Sequence, residues 1–323
     1  MPKPNSSLIN LSETAFSHDR NRYSCPLLTG SKVGSPPSGK KIGFRKGLYF
    51  LALIIFFCQT PSQATLARDV ELAGPLAQGA LIQGHTDPEA QVVFKDRKVR
   101  ISPEGLFLIG FGRNEAPTVD LVVTFPDGYR IRKTLSIKQR KYKTQRIDGL
   151  PKKKVSPTKL DLNGIREETA KVKAARTRDD ARTDFLEGFI WPVKGRITGV
   201  YGSRRILNGK ERRPHFGIDI AVPTGTPVRA PASGIVTLAH PDMFFSGGTL
   251  ILDHGHGLSS SFLHLERILV EEGKHVRQGD IIAEVGATGR ATGPHLDWRM
   301  NLFKTRIDPQ LLVNSDPTPD PTP

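Results

Sequence analysis

The sequence predicts a mainly β protein with an N-terminal β-sandwich-like domain, a charged linker helix and a C-terminal antiparallel β domain. Three observations carry that reading. From Val70 to about Ile147 the apolar residues come in short period-two runs. From about Asn163 to Phe185 charges dominate around a thin apolar side. From Phe189 onward short apolar runs are punctuated by glycine, and no long helical pattern interrupts them.

In the first region, Gln91-Val92-Val93-Phe94, Gly105-Leu106-Phe107-Leu108-Ile109 and Val119-Asp120-Leu121-Val122-Val123-Thr124-Phe125 are separated by turn signals such as Asp87-Pro88 and Asp127-Gly128. Alternate residues of a strand share a face, so such runs bury one side. About six or seven short strands fit a small β-sandwich. No catalytic pattern occurs there, and a spacer or binding module is the expectation. In the linker, Ile165, Thr169 and Val172 share one side of an expected exposed helix, with Glu167 and Glu168 in its first turn. The last region holds the strand signals Arg196–Val200, Gly234–Leu238, Thr249–Asp253 and Asp280–Val285.

The chain has 323 residues, a formal net charge of +15 and a pI near 9.9. That balance suits an anionic partner: nucleic acid, acidic lipid or the anionic polymers of a cell wall. A basic series runs from Arg130 to Lys154, but one aromatic, Tyr142, interrupts it, which is thin support for base stacking. A solvated face or polyanion contact is expected, and nucleic acid is not the favoured partner.

Lys40, Lys41, Arg45 and Lys46 precede the uncharged run from Leu48 to Cys58, followed by small residues at Ser62-Gln63-Ala64 and Thr65-Leu66-Ala67. A basic flank, a short apolar run and a small-residue site in that order read as a secretory signal. The expected organisation is an N-terminal extension over 1–39, a signal peptide or anchor over 40–67, the sandwich over 68–150, the linker over 151–188, the C-terminal domain over 189–313 and a disordered tail over 314–323. An exported, periplasmic or envelope protein is expected, touching a membrane only through an uncleaved N-terminal segment. The two cysteines, Cys25 and Cys58, lie before the sandwich, so any metal site beyond them is built from histidine and carboxylate.

Such a site is legible. His215 and Asp219 stand four apart, and His295 and Asp297 two apart. In extended strands each pair shares a face, and neighbouring strands would bring imidazole and carboxylate to one point. Nitrogen and oxygen donors in a small cluster suit Zn²⁺, and three protein ligands leave a fourth position for water, which is the layout of a hydrolase. His254 and His256 sit between glycines and are expected to pack in a turn; His240 and His275 have no partner pattern.

Residues from about Trp191 to Leu312 resemble the catalytic domain of lysostaphin-type (LytM-like) zinc metallopeptidases. The resemblance rests on Val200-Tyr201-Gly202-Ser203-Arg204, His215-Phe216-Gly217-Ile218-Asp219-Ile220, Val228–Gly234, Phe262-Leu263-His264-Leu265, Val276–Asp280 and Thr292-Gly293-Pro294-His295-Leu296-Asp297, in that order. It implies zinc ligands at His215 and Asp219, catalytic histidines at His264 and His295, and hydrolysis of peptide bonds in bacterial peptidoglycan. The family usually carries a second, zinc-binding histidine where Asp297 stands. Carboxylate oxygen also binds Zn²⁺, so Asp297 is the expected third ligand. Two carboxylates leave the centre less positive and its water less acidic. Tyr201 and Arg204 are expected along the substrate groove. The rival expectation is a weak or inactive relative that binds peptidoglycan or regulates a separate cell-wall amidase.

Overall fold

The computed structural model describes residues 68–313, which belong to one compact unit. The expected extension, signal or anchor and tail lie outside the described residues. Among the described residues no helix is long and apolar enough to cross a membrane.

Seven short strands between Glu71 and Ser136 form two antiparallel sheets. One holds Glu71–Ala73, Leu81–His85 and Leu106–Gly110; the other holds Arg97–Val99, Gln91–Phe94, Thr118–Thr124 and Arg130–Ser136. Alternation decides what is buried: in Thr118–Thr124, Leu121 and Val123 enter the core with Phe94, Phe107 and Phe111. The expected sandwich is therefore present. The next strand, Thr144–Ile147, leaves it and pairs in parallel with Arg204–Leu207, which continues antiparallel to Lys210–Arg212. Most of the basic series that contains this strand is exposed, and three of its members find partners within the fold. Arg132 pairs with Asp120, Lys133 donates to the Val70 carbonyl, and Arg140 reaches the buried Asp308.

Two helices follow, α1 (Lys152–Val155) and α2 (Lys159–Ala175). The second starts earlier than its charge pattern suggests because Thr158 and Asp161 form a reciprocal capping box, Thr158 accepting from the Asp161 amide and Asp161 from that of Thr158. It is also less exposed than expected. Val172 and Ala175 pack on Leu238, Met243 and Ile251, and the Glu168 carboxylate accepts from the Phe244 amide at 2.9 Å. The amphipathic side is narrow, which is why the sequence reads as a solvated helix.

The C-terminal domain is built on a ten-stranded sheet whose main path runs His275–Val276, Gly234–Met243, Gly247–Asp253, Leu258–Ile268, Leu296–Leu302, Ile218–Ala221 and Arg196–Gly199. Its strand pairs are antiparallel. Along Leu296–Leu302 the even positions Leu296, Trp298, Met300 and Leu302 join the main core. Asp297, Arg299 and Asn301 consequently occupy the opposite face. Helix α2 packs on that same face, since its contact Ile251 alternates with the core residues Leu250 and Leu252.

Trp298 is fully buried and meets Trp191 edge-on, ring centroids 5.8 Å apart. Truncating Trp298 to alanine removes one of the two tryptophans of this core. A loss of about 3–5 kcal/mol is expected, read as a lower urea midpoint with an unchanged slope.

Candidate metal centre and its flanking histidines

Strand register assembles the centre. Asp219 on Ile218–Ala221 lies directly opposite Asp297 on Leu296–Leu302, and Asp297 lies opposite Leu263 on the next strand. His215 falls in the loop before its strand, not on it. Its backbone is held in extended form by mutual bonds with the 202–203 segment: the His215 amide donates to Ser203 O at 2.9 Å, and the Gly202 amide to His215 O at 2.8 Å. The spacing of four thus works through a strand and its approach.

One donor atom from each of His215, Asp219 and Asp297 lies within 4.8 Å of the others, and all three residues are buried. His215 Nε2 stands 3.1 Å from Asp219 Oδ1, yet both ring nitrogens of His215 and Asp219 Oδ1 lack a hydrogen-bond partner. Buried polar atoms are normally satisfied. Two donors that face each other without a hydrogen bond are placed to share a third atom between them. One nitrogen and two carboxylate oxygens suit a divalent ion, so these residues fit the ion that the sequence implies.

Each carboxylate is also held by an arginine that the motifs do not announce. Arg205 Nη2 donates to Asp219 Oδ2, leaving Oδ1 free. Arg299 grips Asp297 bidentately, Nε to Oδ1 at 2.9 Å and Nη2 to Oδ2 at 2.5 Å. Burial alone would push the Asp297 carboxyl up, but Arg299 and His215 outweigh it and hold the group well below the usual carboxylate range. Asp219 behaves likewise: burial opposes ionisation, and His215 and Arg205 prevail. Both carboxylates are therefore ionised and ready to ligate. Tied to a guanidinium, Asp297 contributes little net charge, as a histidine would. The expected loss of positive charge from a second carboxylate is thus offset by Arg299.

Two glycines make room for these groups. A Cβ on Gly199 would stand 2.2 Å from Asp219 Oδ2, and one on Gly217 would stand 2.5 Å from Asp297 Oδ1. Replacing Arg299 by methionine keeps the stem and removes the clamp. The metal-free variant is expected to lose about 3–5 kcal/mol, because Asp297 is left as an uncompensated buried charge. Added zinc should stabilise it by a larger thermal shift than it gives the parent chain.

His264 and His295 flank the centre with ring centroids 4.8 Å apart. Strict alternation over Phe262-Leu263-His264-Leu265 would put His264 on the face of Phe262, opposite Leu263 and Leu265, and the structure departs from it. The pairing slips between Gly248 and Leu250, His264 takes φ +65°, and Phe262 and Leu265 both face the main core. This bulge turns His264 away from the core, a use of strained backbone common beside reactive sites. Its Nδ1 lies 2.8 Å from Thr288 O and so carries the proton, leaving Nε2 as the lone-pair nitrogen. Burial pulls the ring down to about 4, so the imidazole is neutral near pH 7. The Nδ1 of His295 meets Gly293 O at 2.8 Å, and its Nε2 stands 3.9 Å from Asp219 Oδ1. The five residues picked out by the motifs are all brought together.

Other candidates lie elsewhere. Tyr201 is buried and donates to Arg306 O at 2.8 Å, so it packs within the fold and does not line a groove. Arg204 is exposed and pairs with Glu211; its neighbour Arg205 is the one that reaches the centre. His254 is enclosed, with Nδ1 2.6 Å from Ser233 O and Nε2 2.7 Å from Ser260 Oγ, and His256 packs edge-on to Phe185. Both serve packing, as the turn reading expects.

The segment around α1 ties the two flanks of the centre together. On one side, Val155 and Leu150 pack on Leu207, and Arg212 Nη2 donates to Val155 O at 2.8 Å. On the other, Lys154 Nζ donates to Phe244 O at 2.5 Å, and Arg290 Nη1 reaches Lys154 O at 3.4 Å. The Arg290 guanidinium feels both Arg205 and Asp297, which places the centre beside this bridge.

An antiparallel β domain that brings one imidazole and two carboxylates to a point beside two further histidines belongs to the metal-dependent hydrolase class. The chain belongs to peptidase family M23, whose model matches residues 213–309. A crystal structure described as an M23 peptidase from Pseudomonas aeruginosa shares 30% identity, covers 73% of this chain and 94% of its own, and superimposes with a TM-score of 0.57. Similar curated proteins include the peptidoglycan DD-endopeptidase ShyA of Vibrio cholerae, 38% identical over 115 residues, covering 34% of this chain. The DD-carboxypeptidase/endopeptidase Mpg of Neisseria meningitidis serogroup B is 36% identical over 130 residues, covering 40% of this chain. The chain spans 26% and 29% of the length of these two relatives.

Proposed function

We propose that this protein is a zinc-dependent endopeptidase that hydrolyses peptide bonds of bacterial peptidoglycan and acts after export, in the periplasm or envelope. The observation that carries the reading is the unsatisfied pair, His215 Nε2 and Asp219 Oδ1, facing each other beside Asp297. What supports the substrate is the activity named for ShyA and Mpg, together with a net charge of +15 that favours an anionic polymer.

His215, Asp219 and Asp297 would hold the ion, which supplies Lewis acidity at the scissile carbonyl when bound. The chain's own residues do the rest. His264 presents an unprotonated Nε2 at neutral pH, suited to taking a proton from an attacking water. His295, whose Nδ1 is likewise held by a carbonyl, presents Nε2 near Asp219 and is placed to accept and return a proton. Arg205 and Arg299 orient the two carboxylates.

A second reading, a peptidoglycan-binding relative that regulates a cell-wall amidase, is favoured by one observation: both carboxylates already have guanidinium partners. One experiment separates the two. The chain from Arg68 is purified, its zinc is quantified, and peptidoglycan solubilisation is followed beside Asp297→His. About one zinc per chain with solubilisation supports the enzyme. Absence of both, with peptidoglycan still bound, supports the regulator.

A further inference from the structure

A cavity of about 820 Å³, lined by none of the residues of the metal centre, lies where the small N-terminal domain, α2 and the end of the Leu296–Leu302 strand meet. Its size is that of a small-molecule site. Phe94, Leu108, Val172 and Phe303 give it apolar walls. Seven lysine and arginine side chains line it against one carboxylate, Asp179.

That carboxylate is committed, because Arg100 holds it at 2.8 Å with Arg97 at 3.7 Å. Lys95 is paired with Glu115. The remaining four cations, Lys173, Arg176, Lys304 and Arg306, have no carboxylate within ion-pair distance among the described residues. Arg176 Nη2 donates to Ser261 Oγ at 2.8 Å, while its buried Nε has no partner. Arg306 Nη1 donates to Asn301 Oδ1 at 3.0 Å. Burial, with mutual repulsion among Arg176, Arg299 and Arg306, pulls the Arg176 guanidinium well down and Arg306 down to about 10. A desolvated cation normally stands beside a counter-charge; Arg306 feels Asp297 at longer range, but neither arginine has a carboxylate at ion-pair distance among the described residues.

We infer that this cavity is a binding site for a small ligand carrying two or more carboxylate or phosphate groups on an apolar body. Arg176 and Arg306 take one anionic group at depth, and Lys173 and Lys304 take the other towards the mouth. Arginine suits the inner position because its planar fork binds an oxyanion through two donors, whereas lysine serves as a point charge. The walls come from three parts of the chain, so an occupant also holds these parts together.

Calorimetric titration of the full chain at low ionic strength tests the assignment, with glutarate as the carboxylate probe and inorganic phosphate as the phosphate probe. One or both should saturate at about one per chain and raise the melting temperature. Arg176→Met should weaken that binding roughly tenfold or more. Lys304→Glu, an exposed change that cannot empty the core, should weaken it in the same sense. Glutarate alone binding identifies a carboxylate ligand, phosphate alone a phosphate ligand, and both a general oxyanion site. The inference is overturned if neither probe saturates, if the two variants bind as the parent does, or if a chelator abolishes binding, since the anion would then be held by a metal ion.

Discussion

Changing His295 to alanine is expected to leave the metal in place and lower peptidoglycan hydrolysis by roughly a hundredfold to ten-thousandfold, the range for losing one acid–base or oxyanion-stabilising group. His295 donates no atom to the cluster of His215, Asp219 and Asp297; its Nε2 stands 3.9 Å from Asp219. Metal content and activity should therefore part company in this variant. In Asp297→Ala they should fall together, because one of three donors is gone and Arg299 loses its partner. Zinc quantified beside a turnover assay reads both. Full activity in His295→Ala would remove this residue from the chemistry, and metal lost in the same variant would make it a ligand.

Loosening the bridge around α1 should raise the rate. Val155 and Lys154 fasten this segment to opposite flanks of a centre whose three donor residues are almost fully enclosed. A polymer strand needs an open approach, and if it enters between these flanks the bridging contacts part first. Val155→Asp with Lys154→Ala removes the apolar anchor and the bond to Phe244 O while sparing every residue of the centre. If the closed arrangement is favoured by about 1.4 kcal/mol, release gives an acceleration on the order of tenfold. An unchanged rate, with metal content also unchanged, would show that the bridge does not limit access.

Much of this architecture is legible before any coordinates. Alternation marks the sandwich strands, and the even spacings of His215, Asp219, His295 and Asp297 announce groups that converge: the register sets Asp219 opposite Asp297, while His215 and His295 stand just before those two strands. What escapes is what alternation cannot encode. His264 lies at a bulge, where one extra residue reverses the facing of everything after it, and a period-two reading puts it on the wrong side. Arg205 meets Asp219 across strands that the sequence does not order. Arg299 was within reach, since a residue two beyond Asp297 shares its face, but an arginine on a strand reads as solvated until its partner is known. Helix α2 looks exposed because only Val172 and Ala175 meet the sheet firmly.

The guanidinium clamps on Asp219 and Asp297 bear on when the protein acquires its ion. Two carboxylates facing each other across neighbouring strands would repel in an empty centre and pry those strands apart. With Arg205 and Arg299 in place the apo chain is already neutralised, so the polypeptide can reach its final form first and be metallated afterwards. Loading of the centre would then be a step separate from folding, set by the supply of a divalent ion in whatever compartment the finished protein occupies.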